Sequence, residues 1–207
     1  PGGAGGGGAQ FDEGDDPHLQ GNFDDADGYY RTQPGELVAE RYKVLGEIGR
    51  GVFSTVLRCV DERVEGRRVA VKLIRNNETM RKAAAKELEL LSEIAARDPE
   101  NRKHCVRLLA TGEHRAHTVL VFESLEMNLR QTLKKFGKNI GINVQSVRKY
   151  ARQLFAALRH LAALGIVHAD VKPDNILVSA QYATLKLCDF GSAFRESDPV
   201  EPTPYLV

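Results

Sequence analysis

The residues with most chemical potential in this chain lie in one run, Ile166 to Asn175, and in a second, Asp189-Phe190-Gly191. The first reads Ile-Val-His168-Ala169-Asp170-Val171-Lys172-Pro173-Asp174-Asn175. It sets a carboxylate (Asp170), an ammonium (Lys172) and an amide (Asn175) on one tight loop, and Asp189 adds a second carboxylate on a following hairpin. Such a set suits phosphoryl transfer from a magnesium nucleotide, a reaction that asks a protein for positioning and charge neutralisation. Asp170 is the candidate acceptor for a substrate hydroxyl proton. Lys172 is placed to neutralise a moving phosphoryl group, and Asn175 and Asp189 offer the oxygen ligands that Mg2+ prefers. Taken singly, each acid or lysine is more often a solvated surface group than a catalyst.

Positioning these groups requires a scaffold, and the alternation upstream supplies one. Tyr42 to Ile48 and Thr55 to Val60 read as strands flanking Gly49-Arg50-Gly51-Val52-Phe53-Ser54, a turn whose glycines let backbone N–H groups approach phosphate. A lone glycine-rich turn is a weak signal. Arg67 to Ile74 forms the next strand, and side chains two apart share a face, so Ala70 and Lys72 point together beneath the turn while Val69 and Val71 face away. Small Ala70 leaves room for a flat base, and Lys72 can reach its phosphates. Thr79 to about Ala96 reads as a helix with Ala84, Leu88 and Leu91 on one stripe, stopped by Asp98-Pro99. Val106 to Leu109 and Thr118 to Phe122 complete five strands. Leu129 to Phe136 is a short helix. A longer one spans Val144 to about Leu164 between Asn143 as N-cap and Gly165 as C-cap, with Val147, Ala151, Leu154, Leu158 and Leu161 as core positions.

Composition narrows the classes. The 207 residues carry a net charge of +1, which argues against a general polyanion-binding surface, and no direct nucleic-acid binding is expected. No apolar run reaches membrane-spanning length, so no membrane association is expected. Cys59, Cys105 and Cys188 are odd in number without Cys-x-x-Cys spacing, pointing to a reducing compartment rather than a disulfide framework or zinc site. Residues 1–36 are Gly-rich, then acidic, and read as a disordered segment. Within it, Phe23, Tyr29 and Tyr30 are more aromatic than a spacer needs, and the alternative is that Tyr29 and Tyr30 dock on the small lobe.

Gly49, Gly51, Lys72, Glu87, Asp170, Asn175 and Asp189 occur together in one order, and with that set the chain resembles the eukaryotic protein kinases. The resemblance implies an α+β, bilobal protein-kinase-like fold: a five-stranded antiparallel N-lobe with one helix over residues 37–123, and a truncated, mainly helical C-lobe over 124–207 that ends inside the activation segment. It implies ATP and Mg2+ as cofactors, with Asp170, Lys172, Lys72 and Glu87 catalytic and Asn175 and Asp189 on the metal. Glu87 is the acid that would pair with Lys72; Glu89 is the alternative, on another helix face. Ile48, Gly49, Gly51, Val56, Ala70, Lys72, Phe122, Glu123, Leu125 and Leu177 would line the nucleotide site. Glu123 and Leu125 would act there through backbone atoms, so side-chain identity should matter little. His168 is expected to pack against Phe190 in an apolar stack with Leu91 and Leu108. Cys188, one residue before the metal carboxylate, is a small buried hydrophobe or a thiol open to covalent nucleotide-site ligands.

Two positions depart from the family pattern. Ser54 stands where a third Gly is usual, and Ala169 where most kinases carry an Arg that grips a phosphorylated activation segment. A methyl cannot do so, and phosphate on Thr203 or Tyr205 is therefore not expected to be read through this loop. Lys172-Pro173 resembles serine/threonine kinases, and Cys188-Asp189-Phe190-Gly191-Ser192-Ala193 resembles the CMGC group and its DYRK and CLK branches. His168-Ala169-Asp170, Ile74-Arg75-Asn76-Asn77-Glu78, Asp27-Gly28-Tyr29-Tyr30-Arg31 and Thr203-Pro204-Tyr205-Leu206-Val207 are more specifically similar to the pre-mRNA-processing factor four kinases. That similarity implies spliceosomal protein substrates, nuclear residence and tyrosine autophosphorylation, with Tyr205 the favoured site; the fragment itself would be inactive. The competing readings are a pseudokinase or scaffold, and a DYRK-like or CLK-like kinase without splicing partners.

Overall fold

The computed structural model describes residues 23–138 and 140–199. Its first half is an antiparallel sheet of β1 (Leu37–Val38), β2 (Tyr42–Arg50), β3 (Ser54–Asp61), β4 (Arg68–Ile74), β5 (Leu108–His114) and β6 (His117–Glu123). Spatial order is β1-β2-β3-β4-β6-β5. Five of these strands are the expected ones, and the sixth, β1, is a two-residue edge. Expectation and structure also differ at β5, which begins at Leu108 and runs to His114. Its polar half is held by a hairpin in which Arg115 and Ala116 both adopt positive φ, 46° and 66°, the geometry of a tight two-residue turn. Val106 instead donates its N–H to Leu187 O at 2.8 Å, fastening this stretch to the second half of the chain.

Strand alternation divides the sheet into two faces. Val69, Val71 and Leu73 join Leu57, Cys59, Val119 and Val121 in an outer cluster. Ala70, Ile74, Leu120 and Phe122 face the other way, onto Leu90, Leu91 and Ile94 of α1 (Glu78–Ala96). Asn77 caps α1 by accepting the Met80 N–H at 2.8 Å.

The outer face is covered by a segment that composition had assigned to a disordered tail. From Phe23 onward the chain lies on the small lobe, so the reading of residues 1–36 as disordered fails for 23–36; residues 1–22 lie outside the described residues. Tyr30 is 5% exposed, belongs to the outer cluster, and meets the rings of His114 and His117 edge-on at 5.1 and 5.5 Å. Acidity misled because the acids have partners here. Asp24 Oδ1 lies 2.7 Å from His117 Nε2, and Asp25 Oδ1 accepts the N–H groups of Asp27 and Tyr29. Gly28, at φ +81°, allows the turn between them.

The second half carries β7 (Met127–Asn128), α2 (Leu129–Gly137), α3 (Val144–Ala163), β8 (Ile166–Val167), a 3-10 turn at Pro173–Asn175, β9 (Ile176–Val178), β10 (Leu185–Leu187) and β11 (Phe194–Arg195). Strands β10-β9-β7 form one small sheet, and β11 pairs with β8. Asn143 caps α3 as expected, accepting the N–H groups of Gln145 and Ser146, and Gly165 follows it at φ +63°. Leu161 is buried and Leu154 and Leu158 pack on the core, but Val147 is 46% exposed among the described residues. Leu187, Ile176 and Phe190 share one cluster with Leu91 and Phe122, so the two halves meet through a common apolar seam. No helix among the described residues is long and apolar enough to cross a membrane.

Candidate active site

Two groups of polar side chains stand along this seam. The first is gathered from three elements. Lys72, 8% exposed on β4, donates from Nζ to Glu87 Oε1 at 2.7 Å, to Glu87 Oε2 at 2.9 Å and to Asp189 Oδ1 at 3.1 Å. Glu87 is buried on α1, whereas Glu89 points elsewhere and pairs with Arg195 at 3.0 Å. Burial alone would depress the Lys72 ammonium, but the carboxylates of Glu87 and Asp189 hold its pKa above the ordinary value. Burial would raise the Asp189 carboxyl; the Lys72 charge and the Gly191 N–H bring it below the usual carboxylate range. Its side chain keeps 51% of its surface open to solvent.

The second group is local. Asn175 Nδ2 donates to Asp170 O at 2.9 Å and to Asp170 Oδ2 at 2.8 Å, and Lys172 Nζ donates to the same Oδ2 at 2.7 Å. The bond from Asp170 raises the pKa of Lys172. Both N–H bonds of the Asn175 amide are thereby engaged, which leaves its Oδ1 as the atom available to a cation. The two groups are coupled by backbone: Cys188 donates its N–H to Asn175 O at 2.9 Å, one residue before Asp189. His168 sits between them, 3% exposed, with Nε2 3.0 Å from Cys188 O and its ring edge-on to Phe190 at 5.0 Å. Burial lowers its pKa, in keeping with a packing role. Cys188 is half-buried against the shared core rather than fully enclosed, and desolvation pushes its thiol up to about 12, which disfavours the reactive thiolate.

The remaining expected pocket residues fall in rows across the sheet. Gly49 faces Val56, Val56 faces Lys72, and Ala70 faces Phe122 in cross-strand register. Ile48 is 45% exposed at the end of β2, and Gly51 forms the neck of the turn, its N–H on Ser54 O at 2.9 Å. Leu125 packs on the shared core, and Leu177 lies on β9 opposite Asn128. Two hollows, of about 440 and 280 Å3, lie apart from these residues, beside Arg148 and Arg152 and beside Phe136 and Tyr182. Thr203 and Tyr205 lie outside the described residues.

Three features escaped the motif reading. Glu123 was expected to matter only through its backbone, yet its Oε1 accepts the Arg107 N–H at 2.7 Å and the Lys186 ammonium at 2.5 Å. A lysine inside the apolar strand Leu185-Lys186-Leu187 was the available signal. Ala169, next to Asp170, and Asp189, itself a member of the first group, both hold left-handed backbone, at φ 63° and 62°. Such conformations in non-glycine residues cluster at functional sites. Arg195, finally, ties the segment after Gly191 to α1 through Glu89 and Glu93, at 3.0 and 2.7 Å.

The model of the protein kinase domain family matches residues 42–205, which include both groups. The chain belongs to the protein kinase family. It is 43% identical over 189 residues to the serine/threonine-protein kinase prp4 of Schizosaccharomyces pombe, covering 91% of this chain and 39% of that protein. It is 42% identical over 192 residues to the serine/threonine-protein kinase prpf4B of Dictyostelium discoideum, covering 92% and 23%. A dual specificity protein kinase of Mus musculus, CLK1, is 32% identical over 188 residues, 82% of this chain and 39% of that protein. This kinase domain is thus of the CMGC type that its motifs resemble, with similarity to prp4 kinases above that to the CLK relative. The chain spans well under half the length of these curated relatives.

Proposed function

We propose that the protein transfers the γ-phosphate of ATP to serine or threonine hydroxyls of protein substrates. The observation that carries this reading is the convergence of Lys72, Glu87 and Asp189, from β4, α1 and the loop after β10, on one point of the seam. An ammonium held by two carboxylates in that position is set to bind phosphate oxygens at the floor of a nucleotide cleft. The turn from Gly49 to Ser54 covers the phosphates, and Ala70, Val56, Ile48, Phe122 and Leu177 hold the base, with backbone atoms of Glu123 and Leu125 at its edge.

The donor set fits magnesium. Asn175 Oδ1 and the Asp189 carboxylate are hard oxygen atoms, and a single amide with a single carboxylate suits a cation that keeps water and takes phosphate ligands. Among the described residues no cluster of three or more His, Cys, Asp or Glu competes as a metal site. When bound, Mg2+ neutralises phosphate charge. Asp170 orients the substrate hydroxyl: its Oδ2 already accepts from Asn175 and Lys172, so Oδ1 is left to receive the proton as the new P–O bond forms and the bond to ADP breaks. Lys172 stabilises the charge on the transferred group.

As the finer reading we infer spliceosomal protein substrates and nuclear residence, which the prp4 names of the relatives suggest, and autophosphorylation on tyrosine, in line with the dual specificity of the CLK1 relative. The test is magnesium-dependent transfer of labelled phosphate by the full-length protein to a splicing-factor substrate, with Asp170→Asn alongside. A loss of about a hundredfold or more is expected from removing a positioned base. Nucleotide binding with equal, background transfer in both proteins would instead establish a scaffold.

A further inference from the structure

Tyr29 belongs to the strap on the outer face of the sheet, yet its hydroxyl reaches the nucleotide turn. It donates to Gly51 O at 2.9 Å and lies 3.0 Å from Val52 O. The ring is fixed between two guanidiniums, Arg50 at 4.0 Å and Arg75 at 4.9 Å from its centroid. Each guanidinium is tied to the strap in turn: Arg50 to the Asp25 carboxylate and Arg75 to Asp27 O. The strap itself is anchored independently by Tyr30 in the outer cluster and by Asp24 on His117.

Peptide geometry gives this contact a direction. In a planar trans peptide the N–H points opposite to the preceding C=O. Drawing the carbonyls of Gly51 and Val52 toward Tyr29 therefore turns the N–H groups of Val52 and Phe53 away from the strap. Tyr30 packs with Val71 and Leu73, on the face opposite to Ala70 and Lys72, so away from the strap is toward the cleft. A turn of such sequence would otherwise sample many conformations, and Gly51 has the widest choice.

We propose that Tyr29 is a positioning residue for nucleotide binding, orienting the two donors of the glycine-rich turn toward the phosphates from outside the cleft. This deepens the kinase reading and rests on it. The critical variant is Tyr29→Phe in the full-length protein, which keeps the ring between the arginines and removes only the hydroxyl. Amide exchange of residues 51–54 without nucleotide should accelerate, and the Kd for a fluorescent ATP analogue with magnesium should rise about fivefold, the range expected for losing one solvent-accessible hydrogen bond. KM for ATP should rise in parallel with kcat unchanged. Tyr30→Phe, which loses the bond to Glu36 and the one received from Arg115 but none to the turn, is the control and should leave turn exchange and KM as they are. Unchanged exchange in Tyr29→Phe, or faster exchange with unaltered nucleotide affinity, overturns the proposal. The titration needs no turnover, so absence of phosphate transfer by the unsubstituted protein would overturn the kinase reading separately.

Discussion

Glu123→Ala is expected to destabilise the fold by about 2–3 kcal/mol, more than a partly exposed residue at a lobe junction would suggest. Lys186 is the cause. It lies in β10 between Leu185 and Leu187 with 6% of its surface exposed, and its ammonium sits 2.5 Å from Glu123 Oε1. The same oxygen accepts the Arg107 N–H at 2.7 Å. Truncation leaves a buried ammonium and a backbone donor without that acceptor. Losing one partner of a fully enclosed pair costs about 3–5 kcal/mol. The Glu123 side chain keeps 25% exposure, so water enters the space it leaves and offsets part of that cost. Replacing both groups, Glu123→Leu with Lys186→Met, buries no charge and should recover most of the loss. Urea unfolding of the parent, Glu123→Leu, Lys186→Met and the double variant gives the coupling energy by a thermodynamic cycle. A coupling near zero, or a Glu123→Ala effect below about 0.5 kcal/mol, would refute the reasoning.

Other consequences can be measured in the same way. The Asp61 carboxylate is buried and takes two hydrogen bonds of 2.7 Å from Arg41, which hold its pKa below the ordinary value. A depressed folded pKa gives stability that is complete above about pH 4 and lost as pH falls through the folded value. The gap in urea midpoint between parent and Asp61→Asn should therefore shrink on acidification; widening would contradict the assignment. Ala169 holds φ 63°, a conformation that costs an L-residue about 1–2 kcal/mol, partly offset by the extra unfolded-state entropy of glycine. Ala169→Gly should be neutral to stabilising by up to about 1 kcal/mol and Ala169→Val destabilising, and the reverse order in chemical unfolding would count against strain. Deleting residues 1–36 uncovers the outer face where Tyr30 packs and should cost about 2 kcal/mol, read as a lower melting midpoint. An unchanged midpoint would mean that the strap adds nothing.

The sequence by itself determined what is short-range. Alternation placed Ala70 and Lys72 on one face of β4, caps at Asn143 and Gly165 bounded α3, and Asp170, Lys172 and Asn175 stand within hydrogen-bonding reach because they lie no more than five positions apart on one loop. Glu87 was distinguishable from Glu89 because helical periodicity sends neighbours two apart to different faces. Tertiary structure decided whatever joins distant residues. Lys72 meets Asp189 across 117 positions, Glu123 meets Lys186 across 63, and Asp24 meets His117 across 93. Such contacts leave no periodic trace, since each depends on which faces two elements turn to one another. The strap shows the same limit from the other side. Its acids have a composition that favours solvation, and only a ready-made apolar face, supplied by strands far along the chain, offers Tyr30 enough burial to offset the entropy of ordering it.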